Sequence, residues 1–132
     1  MIDHFVLPVS DVEASKAFYK AALAPLGYTL AFEDFSDSTG ELAIAGFSAA
    51  SKCDFILRKE TTRTVAIHVA FVATDRSQAD EFYKAAMASG GRDNGAPALC
   101  PEYHAGYYGG FVLDPDGHNI EAVCHEERGR AQ

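Results

Sequence analysis

The pentapeptide Phe-Tyr-Lys-Ala-Ala occurs twice in this chain, at Phe18–Ala22 and at Phe82–Ala86, inside a longer self-similarity at an offset of 64 residues. At that offset the chain also matches itself at His4/His68, Asp11/Asp75, Ala24/Ala88 and Gly27/Gly91. Solenoid repeats run to about 20–50 residues and need at least about three copies to bury a core. The chain therefore reads as one supersecondary unit, duplicated and fused.

Each copy predicts the same local plan. Residues 3–9 alternate as a strand, and Ser10 followed by Glu13 predicts a capping-box helix start. Val12, Ala14, Ala17, Phe18, Ala21, Ala22 and Leu23 give that helix an apolar stripe, and Gly27 supplies a left-handed stop. The second copy predicts a strand over 66–73, Thr74 or Asp75 as cap, a helix to about Ser89 and a stop at Gly90 and Gly91. Antiparallel strands are expected at 28–35, 41–47 and 53–59. A less regular stretch, 92–106, precedes strands at 107–114 and 119–124, joined by the turn Asp114-Pro115-Asp116-Gly117. The fold class is α+β, two βαβββ modules. They are expected to form one domain over 1–132, with module one at 1–62, module two at 63–126 and a tail at 127–132.

Composition narrows the function. The net charge of −8 opposes a nucleic-acid backbone as partner, which calls for a basic face. No apolar run approaches the roughly 20 residues of a membrane span. The N-terminus carries Asp3 and His4 and has no basic segment before an apolar core, so no secretory signal is read and a cytoplasmic location is expected. Cys53, Cys100 and Cys124 contain no CxxC pair and predict buried or half-buried apolar residues, not a disulfide framework. His118, beside the turn, and His125, at the start of the polar tail, are expected to be exposed and not to be ligands.

Strand parity directs the repeated histidines. Phe5, Leu7 and Val9 share one face of the first strand and His4 and Val6 the other; Val69 and Phe71 oppose His68 and Ala70 in the same way. The bulkier faces should pack on the helices, which turns both histidines toward the opposite side. In the last strand Glu121 alternates with Ile120, Ala122 and Cys124, a carboxylate in an apolar run that needs a partner or a cation. Two neutral imidazoles and a carboxylate suit a divalent metal (Zn, Ni, Mn or Fe) with water in the open positions. The alternatives are hydrogen-bonded structural histidines and an arginine partner for Glu121.

The opening IDHFVLPVSDVEASKAFYKAALAPLGY, the central HVAFVATD and the ending YYGGFVLDPDGHNIEAV resemble the vicinal oxygen chelate superfamily of glyoxalases, bleomycin resistance proteins and extradiol dioxygenases. The resemblance implies paired modules forming a half-open, eight-stranded barrel-like sheet around a divalent cation, a homodimer, and metal ligation by His4, His68 and Glu121. It also implies a small-molecule substrate that chelates through vicinal oxygens, and lyase or isomerase chemistry like that of lactoylglutathione lyase, or a related transfer. The alternatives within the family are a metal-free sequestration protein and a small extradiol-type dioxygenase.

Glyoxalases often add a fourth ligand, the first-module counterpart of Glu121. Subtracting 64 from 121 gives Leu57, which is assigned to the substrate side; Asp54 and Glu60 reach the site only through a bulge. Glu121 is then also the one candidate carboxylate base. The polar and aromatic stretch 92–108 should form the cavity mouth, with His104 as acid or base and Arg92, Asn94, Tyr103, Tyr107 and Tyr108 as substrate contacts. Gly109 and Gly110 suggest a bulge or a close backbone approach.

Overall fold

The computed structural model describes residues 2–50, 52–62 and 65–125; the tail expected at 127–132 lies outside the described residues. Module one runs β1 (Phe5–Val9), α1 (Val12–Ala22), β2 (Thr29–Phe35), β3 (Leu42–Ser48) and β4 (Cys53–Lys59). Module two runs β5 (His68–Val72), α2 (Arg76–Ala88), two short strands β6 (Arg92–Asp93) and β7 (Ala98–Leu99), then β8 (Tyr108–Leu113) and β9 (Asn119–Cys124). The sheet orders repeat, β1-β4-β3-β2 against β5-β9-β8-β6, with β7 also paired to β8. In each module the first strand runs parallel to the last, and the remaining pairs are antiparallel.

The helix starts explain one of the repeated identities. Asp11, not Ser10, caps α1, accepting from Ala14 N at 3.1 Å, and Asp75 caps α2, accepting from Gln78 N at 2.9 Å. A carboxylate outcompetes a hydroxyl there because it satisfies a free N–H and also meets the positive end of the helix dipole. Ser10 turns its own N–H to the Asp116 carboxylate at 3.1 and 3.2 Å. A 3₁₀ turn at Ala24–Leu26 follows α1 and ends at Gly27, φ 91°.

The core lies between sheets and helices. Leu7 and Val9, Phe18 and Tyr19, Phe55 and Leu57, Phe82, Ile120 and Ala122 are all buried in one cluster, and α1 packs on α2. Aromatic edges cross the module boundary: Phe55 stands 5.1 Å from Tyr19 and 5.0 Å from Phe71, which stands 5.5 Å from Tyr28. Such pairs add about 0.5–1.5 kcal/mol each beyond burial. As expected, Cys124 is buried and Cys53 and Cys100 half-buried, and none of the three is in a disulfide. No described helix is long and apolar enough to cross a membrane.

The turn after β8 locks the modules together. Asp114 is buried; its Oδ2 accepts from the Tyr19 hydroxyl at 2.5 Å and its Oδ1 from the N–H groups of Asp116 and His118 at 2.9 and 2.8 Å. Burial and the Asp114 charge hold the Tyr19 phenol well above its ordinary pKa. His118 corrects the expectation of exposure: it is fully buried, accepting from Ile67 N at Nδ1 (3.0 Å) and donating from Nε2 to Pro8 O (2.8 Å). A turn is ordinarily a surface feature. This one docks on module one through Tyr19, Ser10 and Pro8.

Candidate functional site

Parity places the histidines as expected. Leu7 and Val9 of β1 and Phe71 of β5 are buried on the helix side, while His4, His68 and Ala70 stay exposed on the other. Glu121 is flanked in register by Ala70 on β5 and Phe111 on β8. It is 2% exposed, a burial that needs compensation. His68 Nε2 lies 3.0 Å from Oε1, and the Tyr107 hydroxyl donates to Oε2. Because a carboxylate only accepts, Nε2 of His68 carries the proton in this arrangement.

Two neighbours make room and hold the geometry. A Cβ at Gly109 would stand 3.0 Å from Glu121 Oε2 and 3.3 Å from Tyr107 Cε1, so the missing side chain is what admits the carboxylate. Gly110 likewise lets Pro97 approach, where a Cβ would stand 2.9 Å from Cγ. The register of β8 with β9 shows no shift there, so close approach, not a bulge, accounts for both glycines. Burial, and then the bond to Glu121, push the Tyr107 phenol above its ordinary pKa, so it remains a donor.

Around this pair lies an aromatic rim. Tyr103 and Tyr107 stand 4.8 Å apart, His104 is 5.3 Å from Tyr107, and His104 Nε2 lies 2.9 Å from His125 Nδ1. Sequence reading set His125 aside, although its period-two spacing from Glu121 through Val123 places it on this face. Asn94 donates to Asn119 Oδ1 at 3.2 Å, while Arg92 is exposed near the 114–117 turn. Tyr108 is corrected: its hydroxyl donates to Asp80 of α2 at 2.6 Å and the Arg76 guanidinium sits 5.0 Å over its ring, so it serves the helix side. Adjacent residues of one strand face opposite sides, and Tyr107 takes the site.

Leu57 is corrected as well. Ala70 pairs with Glu121, and its repeat counterpart Val6 pairs with Ile56, so Ile56 is the first-module counterpart of Glu121. Leu57 is fully buried on the helix side and lines no substrate face. A bulge does occur in β4: Phe55 pairs with Phe47 and Cys53 with Ser48, leaving Asp54 unpaired between them. Asp54 lines a cavity of about 540 Å3 together with Asp3, Phe5, Tyr28, His68 and Phe71. Burial and Asp54 raise the Tyr28 phenol to about 12. Glu60 is exposed and lines a separate groove with Val6, Pro8 and Arg58. His4 Nδ1 pairs with Asp3 Oδ2 at 2.7 Å. Among the described residues of one chain no three His, Cys, Asp or Glu side chains converge, so His68 and Glu121 meet and His4 stands apart.

Comparison with known proteins agrees with this layout. The profile of the Glyoxalase/Bleomycin resistance protein/Dioxygenase superfamily matches residues 1–122. The chain belongs to that superfamily. A glyoxalase/bleomycin resistance protein from Albidiferax ferrireducens T118 is 24% identical, with 94% of this chain and 98% of that chain covered and a TM-score of 0.73. TioX from Micromonospora sp. ML1 is 16% identical over 95% of this chain and 98% of that one, with a TM-score of 0.70. Lactoylglutathione lyase from Agrobacterium tumefaciens is 18% identical over 94% and 92%, with a TM-score of 0.68. Comparison with curated proteins gives no match. At these identities the solved structures share the fold with this member of the superfamily, while the chemistry has to be argued from its own residues.

Proposed function

We propose that this chain is a divalent-metal-dependent enzyme of the superfamily, a lyase, isomerase or related transferase acting on a small substrate that chelates through vicinal oxygens. The observation that carries the reading is Glu121: a carboxylate 2% exposed, with His68 Nε2 3.0 Å from one oxygen and Tyr107 on the other. Nitrogen and oxygen ligands on a shared cation, each about 2.0–2.2 Å from it, stand about 3 Å apart. The His68–Glu121 spacing fits that requirement. The third protein ligand in this proposal is His4 of a second copy in a homodimer, since His4, His68 and Glu121 form no group of three among the described residues of one chain.

A bound divalent ion would act as a Lewis acid on adjacent substrate oxygens. The chain's own residues would do the rest. Tyr107, held protonated, fixes the orientation of the carboxylate through Oε2, and Gly109 keeps the space in which that bond forms. Oε1 faces His68 and is the oxygen that would hold a cation together with Nε2. Tyr103, Tyr107 and Phe111 supply aromatic walls, and His104 stands at the mouth behind Tyr107, one ring away from the carboxylate.

A second reading, a metal-free ligand-binding protein, is favoured by one observation: among the described residues of one chain, His68 and Glu121 meet without a third potential ligand, beneath a rim of aromatic rings. Elemental analysis of untagged protein, purified without chelators, separates the two when paired with His68→Ala. A divalent metal content that falls by about one ion per chain in the variant supports the enzyme. Equal metal content in the two after reconstitution refutes it in favour of the binding protein.

A further inference from the structure

The two rim histidines form a pair of their own. His104 Nε2 and His125 Nδ1 are 2.9 Å apart, with ring centroids separated by 5.0 Å and planes 25° from parallel. The other nitrogen of His104, Nδ1, lies 2.7 Å from Ala105 O. A carbonyl only accepts, so Nδ1 carries the proton and Nε2 presents its lone pair to His125. In the metal-free pair His125 Nδ1 is then the donor. The His104 tautomer is the one that ligating histidines adopt, with one ring N–H on a backbone carbonyl and the other nitrogen bare.

The pair is close enough for both rings to reach one ion. Two ring nitrogens bound at about 2.05 Å to one ion stand about 2.9 Å apart at a right angle and about 3.3 Å apart at a tetrahedral angle. The observed 2.9 Å is the length of the N–H···N bond in the metal-free pair, and a small swing of either ring reaches both spacings. Tyr107 packs 5.3 Å from each imidazole and limits how far either ring can swing away. His125 is exposed, which leaves its Nε2 open to solvent.

We propose that His104 and His125 form a binding site for a late first-row divalent cation, Ni2+ or Cu2+, which imidazole nitrogens bind most strongly in this series, with water completing the shell. The site is separate from His68 and Glu121 and does not depend on the function assigned to them. Binding requires one proton shift: His125 loses its Nδ1 proton and gains one at Nε2 from solvent, so both ligating nitrogens are bare and the imidazoles stay neutral.

The test is Ni2+ titration by calorimetry on the untagged full-length chain at neutral pH, with His68→Ala as the background that removes the other candidate centre. His68→Ala should bind one Ni2+ per chain, and adding either His104→Ala or His125→Ala should weaken that binding by at least about tenfold. Circular dichroism of each variant checks that the fold is kept. Absence of Ni2+ binding to His68→Ala, or binding there that neither rim substitution weakens, overturns the proposal. Failure of the enzyme reading looks different: wild-type chain and His68→Ala would then bind Ni2+ with the same stoichiometry.

Discussion

Replacing His118 by alanine tests whether the turn before β9 is what holds the two modules together. The imidazole is fully buried and bonded at both nitrogens, to Ile67 N at 3.0 Å and to Pro8 O at 2.8 Å. Its removal strips a partner from one backbone donor and one backbone acceptor, each costing about 1–3 kcal/mol when shielded from water. A void the size of the ring adds to this unless water enters it, in which case part of the cost is recovered. The expected loss is about 3 kcal/mol, a large share of the roughly 5–15 kcal/mol that stabilises a domain. For a chain of this length that corresponds to a fall in Tm of about 10 °C. His118→Gln, whose amide keeps a donor and an acceptor, should lose about half as much. Urea unfolding followed by circular dichroism gives the midpoint and the slope. A loss for His118→Ala below about 1 kcal/mol at unchanged slope would refute the reasoning, because it would mean that neither backbone group depends on the imidazole.

Two further outcomes follow from the same geometry. Gly109→Ala places a methyl 3.0 Å from Glu121 Oε2; it should destabilise the chain by about 1–2 kcal/mol as an overpacked site and weaken the Tyr107–Glu121 bond, visible as a lowered Tyr107 pKa in NMR titration. At alkaline pH the phenols of Tyr19, Tyr28 and Tyr108 are raised in the folded state, Tyr28 and Tyr108 to about 12, against an ordinary 10. Raised groups support the fold fully below pH 10 and cease to do so as pH climbs toward 12, so stability should fall across that window. Ultraviolet titration should show delayed tyrosinate formation that coincides with unfolding, whereas simple ionisation near pH 10 of every tyrosine would contradict it.

What was legible in the sequence was local. Alternation assigned Leu7, Val9 and Phe71 to the core and turned His4 and His68 away from it, because side-chain direction in a strand depends only on position. The repeat itself marked Asp11 and Asp75, and the structure shows what they share: both are helix caps. What escaped was long-range. His118 stands 110 positions from Pro8 in sequence, and no local pattern distinguishes a docked turn from a free one. Tyr108 and Tyr107 are equal as residues; which of them reaches Glu121 and which reaches Asp80 follows from the opposite faces that they take where the chain enters β8. His125 was readable from its parity with Glu121, but its place at the end of β9 made it look like the first residue of the tail.

The misplacement of Leu57 carries a consequence for the chemistry. Glu121 is 53 positions after His68, whereas Ile56 is 52 after His4, so module two holds one extra residue between its first and last strands. A one-residue slip reverses every side chain in a strand, and the gapless offset therefore selected the buried neighbour of the true counterpart. The apolar face gave the clue: Phe55 and Leu57 are the buried pair of β4 as Ile120 and Ala122 are of β9, which aligns Ile56 with Glu121. Duplication thus left the modules unequal, a carboxylate on one face and an isoleucine at the matching place on the other. Module one retains one acidic residue near that position, Asp54, put out of register by the β4 bulge and facing the same cavity as His68. The proposed chemistry is therefore argued from module two, where His68, Tyr107 and Glu121 meet, with module one lining the cavity beside His68. A variant that restores symmetry, Ile56→Glu, would place a second carboxylate on the bare face without disturbing the core, since Ile56 is only half-buried while Leu57 is fully enclosed.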